Sequence, residues 1–146
     1  MALWHQLAWG SLFLILCVFV ETGMLLWCSK LIFNHARRRG PNVRHRDRMA
    51  ILLISMLGVV AAHTVQVWIW AGVFLLADVL PDLNTAVYFA LVTYTTLGYG
   101  DVLLGPGLRI FASFAAVAGM LGFGISTAFV VAVMGRMFTG NGEDHE

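Results

Sequence analysis

The chain has 146 residues, 60% of them hydrophobic and 12% charged, with a formal net charge of +1 and a mean hydropathy of +0.82. So much apolar surface does not fit inside one small water-soluble core, so an integral membrane protein is expected and a soluble domain is excluded. Basic residues gathered in one short segment argue against a nucleic-acid-binding face, and no segment assembles the nucleophile, base and orienting acid of an enzyme.

In chain order, the first apolar run extends from about Leu7 to Phe33. A bilayer crossing takes about 20 residues, so residues 1–35 are assigned to an N-terminal transmembrane helix. A cleavable signal peptide is not expected, because no Lys or Arg precedes Lys30 and such a peptide carries positive charge ahead of its apolar stretch. Seven of the nine Lys and Arg lie between Lys30 and Arg48. The segment 36–48 also holds Gly40 and Pro41, which break helices. Voltage-sensing arginines repeat along an apolar helix, whereas these are bunched in polar chain. They predict a basic cytoplasmic loop beside anionic lipid headgroups. That orientation puts the N-terminus outside the cell membrane and the C-terminus in the cytoplasm, with Arg136 in agreement.

The second run, 49–80, exceeds the length of a crossing and is expected to tilt or project. Polar side chains inside spans are costly in lipid. Glu21 in the first run, with His63 and Gln66 in the second, is read as a pairing across helices, and a proton-sensing His63 is the alternative. Trp68 and Trp70 fit an interfacial belt or helix packing. Cys17 and Cys28, about 16 Å apart along one helix, are too distant to bridge, and neither has metal-site spacing with a histidine.

After the second run, Pro81 at a start position and Asp82 and Asn84 as caps predict a helix over about 83–94. At roughly 15 to 18 Å it spans about half a membrane. Irregular chain at membrane depth is tolerated only where protein or a water-filled cavity surrounds it, so the segment after this half-helix is expected to face something polar. That segment reads TTLGYGD, Thr95 to Asp101.

TTLGYGD, with a half-helix before it and a span on either side, resembles the filter signature of the tetrameric potassium channels. The resemblance covers 49–138, as an outer helix 49–80, a pore helix 83–94, a filter 95–101 and an inner helix 108–138. It implies an all-α membrane fold with three transmembrane helices per subunit and a re-entrant pore helix, assembled as a homotetramer that conducts K+ passively. Its partners are then further copies of itself, K+ and membrane lipids, with no nucleic acid and no cofactor beyond the permeant ion. By resemblance, the carbonyls of Thr96, Leu97, Gly98 and Tyr99, followed by Gly100, form the ion path, and the Thr96 hydroxyl closes its inner end. Carbonyl dipoles replace the water of a dehydrating cation, and Gly98 and Gly100 adopt the alternating backbone this needs without a Cβ penalty.

Thr93, Thr95, Tyr88, Phe89 and Asp101 are the expected filter support, and Asp78, Asp82 and Asp101 make the outer mouth attractive to cations. The sequence departs from the commoner pattern at Leu97, in place of valine, and at Tyr88 and Phe89, where many members carry tryptophans. Phe89 has no hydrogen bond to donate to Tyr99, while the Tyr88 hydroxyl remains able to reach Asp101. Val92 stands where some bacterial members carry a buried glutamate, so that carboxyl partner for Asp101 is missing.

The last run, 108–138, carries Gly119, Gly122 and Gly124 with Ala112, Ala115 and Ala116 as a small-residue surface. Gly119 is read either as a gating hinge or as a site of close packing. Ser126 and Thr127 either face a cavity below the filter or bond back to their own helix. A short tail, 139–146, follows. Alternatives to the potassium channel are a less selective cation channel, a transporter-type subunit and a non-conducting channel subunit.

Overall fold

The computed structural model describes residues 2–39 and 45–139 of the chain. Four helices follow one another: α1 Leu3–Arg39, α2 His45–Leu76, α3 Leu83–Tyr94 and α4 Arg109–Thr139. Spans within α1, α2 and α4 are long and apolar enough to cross a membrane, whereas α3 is a short apolar helix.

The helices differ from the apolar runs at their ends. α1 continues past Phe33 to Arg39, and α2 begins at His45 instead of Met49. Lys and Arg are good helix formers whose long stems carry the charge beyond the apolar part, so hydropathy marks where the oily stretch stops, not where the helix does. The expected loop 36–48 is therefore largely helical at both edges. Gly40 and Pro41 lie outside the described residues.

At its other end α2 stops at Leu76, not near Leu80. Asp78 takes a left-handed backbone, φ 54°, its N–H donates to the Leu75 carbonyl at 3.0 Å, and the Val79 N–H donates to that of Phe74 at 3.2 Å. These two bonds form a Schellman cap, with Asp78 in the position usually held by glycine. Val79 packs on the core cluster that contains Phe74, as such caps commonly arrange. The chain thereby reverses, and Leu80 is buried.

α3 starts immediately afterwards because Asp82 caps it: Oδ1 accepts from the Thr85 N–H at 3.0 Å and Oδ2 from the Thr85 hydroxyl at 2.7 Å. Those bonds hold the Asp82 carboxyl below the usual carboxylate range, as an acceptor at a helix N-terminus should be. The helix then runs back along α2. Phe89 meets Phe74 edge-on at 5.1 Å, and Tyr94 meets His63, near the middle of the α2 span.

α1 packs against α2 and α4. Near the N-terminal ends of α1 and α4 and the C-terminal end of α2, Phe13, Trp70, Phe74 and Phe111 form an aromatic cluster with ring centres 5.6 to 6.2 Å apart, each pair adding about 0.5 to 1.5 kcal/mol beyond area burial. Trp70 is thus a packing residue, while Trp68 is exposed. In a bilayer no hydrophobic force separates helix from lipid, so close contact and internal hydrogen bonds carry the association. α4 meets that need with Ala115, Ala118, Gly119 and Gly122, all buried on one face.

Candidate functional site

The segment after α3 is positioned from its first residue. Thr95 caps the helix twice, its N–H and its hydroxyl both donating to the Leu91 carbonyl, at 3.0 and 2.7 Å. The Thr96 N–H donates to the Thr93 carbonyl at 3.0 Å, and the Gly98 N–H reaches back to that of Val92 at 3.2 Å. Beyond this anchor every second residue is left-handed: Thr96 at φ 61°, Gly98 at 55° and Gly100 at 79°. Such alternation turns successive peptide groups towards one side. At the two glycines it is free of Cβ strain. At Thr96, which is β-branched, it costs about 1 to 2 kcal/mol, a cost tolerated where surrounding structure over-determines a functional backbone.

The sequence-predicted residues divide into two groups. Thr93, Thr96, Gly98, Gly100 and Asp101 line one open cleft of about 380 Å³ together with Tyr88 and Phe89. Leu97 and Tyr99 point out of the chain, 59% and 69% exposed. The Tyr88 hydroxyl donates to Asp101 Oδ2 at 2.6 Å, tying the end of the segment to α3. Phe89 packs against Phe74 of α2 instead, and Val92 is buried.

The Tyr88 bond holds the Asp101 carboxyl below the usual range and raises the phenol. A lowered carboxyl contributes to the folded arrangement above the ordinary carboxylate range, and that contribution disappears as pH falls through the lowered value. In Tyr88→Phe the Asp101 titration is therefore expected to move up towards its ordinary value. Carboxyl 13C NMR reads this directly, and an unmoved midpoint would refute the role assigned to the bond.

Glu21, Gln66 and His63 do come together, though not as a simple pair. Gln66 Nε2 donates to Glu21 Oε2 at 2.5 Å, but Ser126 stands between Glu21 and His63. The Ser126 hydroxyl donates to Glu21 Oε1 and lies 3.1 Å from His63 Nε2. His63 Nδ1 is in turn 2.8 Å from the Tyr94 hydroxyl. The chain of contacts joins all four helices. Ser126 thus bonds to other helices, whereas Thr127 bonds back to the Phe123 carbonyl at 2.7 Å.

Sequence reasoning missed Tyr94 and the bridging part of Ser126. One signal was available: Glu21, His63 and Ser126 each lie near the middle of their spans, and polar groups at matched depth in lipid tend to meet. Gly119 sits under Tyr94, where an added Cβ would be 1.9 Å from its carbonyl oxygen, and at Gly122 one would be 3.1 Å from its hydroxyl. The close-packing reading of Gly119 accounts for this contact. Cys17 and Cys28 are both free.

Three membrane-length helices holding a short helix and a strained polar segment between the last two describe an integral membrane protein built around that segment. A family model described as Ion channel matches residues 60–136, a little over half of the chain, and the chain belongs to that ion channel family. Among curated proteins and solved structures nothing matches.

Proposed function

We propose that the chain is the subunit of a homotetrameric, potassium-selective channel that conducts K+ passively. The carrying observation is the alternation of left-handed residues at Thr96, Gly98 and Gly100 within TTLGYGD. In this reading α3 is the re-entrant pore helix, with its negative C-terminal end near mid-membrane, where it favours a cation. The carbonyls of Thr96, Leu97, Gly98 and Tyr99 replace the hydration shell of K+, strongly enough for entry and weakly enough for exit. Leu97, Tyr99 and Leu103 are large side chains left bare in a single chain, as an interface between copies would need. Asp101, fixed by Tyr88, stands at the outer mouth.

Arg37, Arg46 and Arg136 belong to one end of the bundle, since α1 and α4 run parallel and α2 runs against them. That end is assigned to the cytoplasm, which places the filter outside. Gly119 is the position at which α4 would bend in gating, released when Tyr94 moves.

The test compares K+ and Na+ flux through the purified chain in liposomes, with Gly98→Asp as the control. K+ flux that Na+ does not share and that the substitution abolishes is expected. Equal flux of both ions would replace this reading with a less selective cation channel, and flux insensitive to the substitution would dismiss the filter assignment.

A further inference from the structure

Conduction through the filter makes no use of the buried contacts among Gln66, Glu21, Ser126, His63 and Tyr94. Glu21 and Gln66 are at most 1% exposed, and Ser126 is 3% exposed. Polar groups are held at such depth only when they are satisfied. With both Glu21 oxygens accepting, the remaining hydrogens have one consistent order. Glu21 accepts from Gln66 and from Ser126. Having given its proton to Glu21, Ser126 can only accept from His63, which places the ring proton on Nε2. Nδ1 then accepts from the Tyr94 hydroxyl, so that every donor runs towards Glu21.

A proton taken from water by His63 has only Nδ1 to occupy. That N–H then donates to the Tyr94 oxygen, and the Tyr94 hydroxyl hydrogen, inside a residue only 1% exposed, loses its acceptor. The titratable groups facing His63 are Glu21 from α1 and Tyr94 from α3, with Cys17 of α1 in electrostatic reach of Tyr94. α4 presents Ser126, Phe123 and Gly122, none of which titrates. Tyr94 is the last residue of α3, its carbonyl rests on Gly119, and the TTLGYGD segment starts at the next residue.

We propose that Glu21, Ser126 and His63 form a relay through which α1 positions the C-terminal end of α3, so that protonating His63 reverses its bond to Tyr94, leaves the Tyr94 hydroxyl hydrogen without an acceptor and thereby lowers K+ conduction. The proposal rests on the potassium-channel reading. Glu21 and His63 are positioning residues in it, and Tyr94 transmits their state without changing its own protonation.

K+ efflux from liposomes holding the full chain, measured between about pH 5 and pH 8 where histidine titrates, tests this, with Gly98→Asp as the blank. Wild type is expected to conduct several-fold more on the alkaline side, through one step. Tyr94→Phe is expected to abolish the step and Glu21→Gln to move it along the pH axis, whereas a merely structural role would scale flux equally at every pH. A pH-flat wild type, or a step unchanged in both variants, would overturn the relay and leave the channel reading intact. No flux above the blank at any pH would sink the channel reading instead. The relay is then read without conduction, by ring-nitrogen NMR of His63 in micelles. Its titration is expected to be displaced by about one pH unit or more in Glu21→Gln, and superimposed titrations would overturn the relay.

Discussion

Gly119→Ala is expected to destabilise the protein by about 3 kcal/mol, the upper part of the range for overpacking a tight interior. The added Cβ would lie 1.9 Å from the Tyr94 carbonyl oxygen and 2.9 Å from its carbon. Both are backbone atoms, so no flexible side chain can turn aside and α3 or α4 must shift as a whole. Gly124→Ala is the matched control, because nothing lies within 4 Å of a Cβ there and alanine favours a helix over glycine by about 1 kcal/mol. Thermal unfolding in detergent should separate the two variants, with the midpoint of Gly119→Ala many degrees lower. Matching midpoints would mean that α3 and α4 are not packed as closely as described. Because Tyr94 immediately precedes the TTLGYGD segment, the displacement that relieves this clash also moves the residues proposed to bind K+.

Glu21→Ala is expected to cost on the order of 3 kcal/mol, by removing both acceptors from Gln66 and Ser126 at a buried site, each orphaned group costing about 1 to 3 kcal/mol. Glu21→Gln keeps the shape and one carbonyl acceptor and is expected to lose less. Unfolding by a denaturing detergent ranks the two. If Glu21→Ala were as stable as Glu21→Gln, the carboxylate would not be holding α1 to α2 and α4. Besides the aromatic cluster around Phe13 and the contacts of Gln6 with the Phe111 N–H and of the Cys28 thiol with the Ile54 carbonyl, this polar centre joins α1 to the rest of the bundle, so weakening it should also loosen α1 relative to the 60–136 region that defines the channel family.

Much of the site was legible because it is local. TTLGYGD needs left-handed backbone at alternate positions, and glycine supplies it at two of the three without strain. The cap of α3 was equally legible in Asp82 three residues before Thr85, since an aspartate there can reach the free N–H groups of a first turn. The Tyr88 hydroxyl was legible as a group within reach of Asp101, and the folded chain makes that bond at 2.6 Å. Helix ends were less legible. Hydropathy locates oil, and neither the basic turns of α1 and α2 nor the left-handed Asp78 that ends α2 at Leu76 carries a hydropathy signal.

The sequence by itself determined a membrane chain, three spans, a short helix between the last two and the glycine pattern after it, because these follow from composition and from contacts between near neighbours in the chain. Only the tertiary structure decided what the interior polar residues do. Glu21, His63 and Ser126 come from three separate helices, and Ser126, not a direct contact, joins the other two. It also decided that Gly119 is occupied by the Tyr94 carbonyl. The physical reason is the same in both cases. Which faces of long helices meet depends on rotation and tilt, which are set by the sum of many weak packing contacts, and near-uniform apolar helices leave no periodic stripe from which to read that rotation.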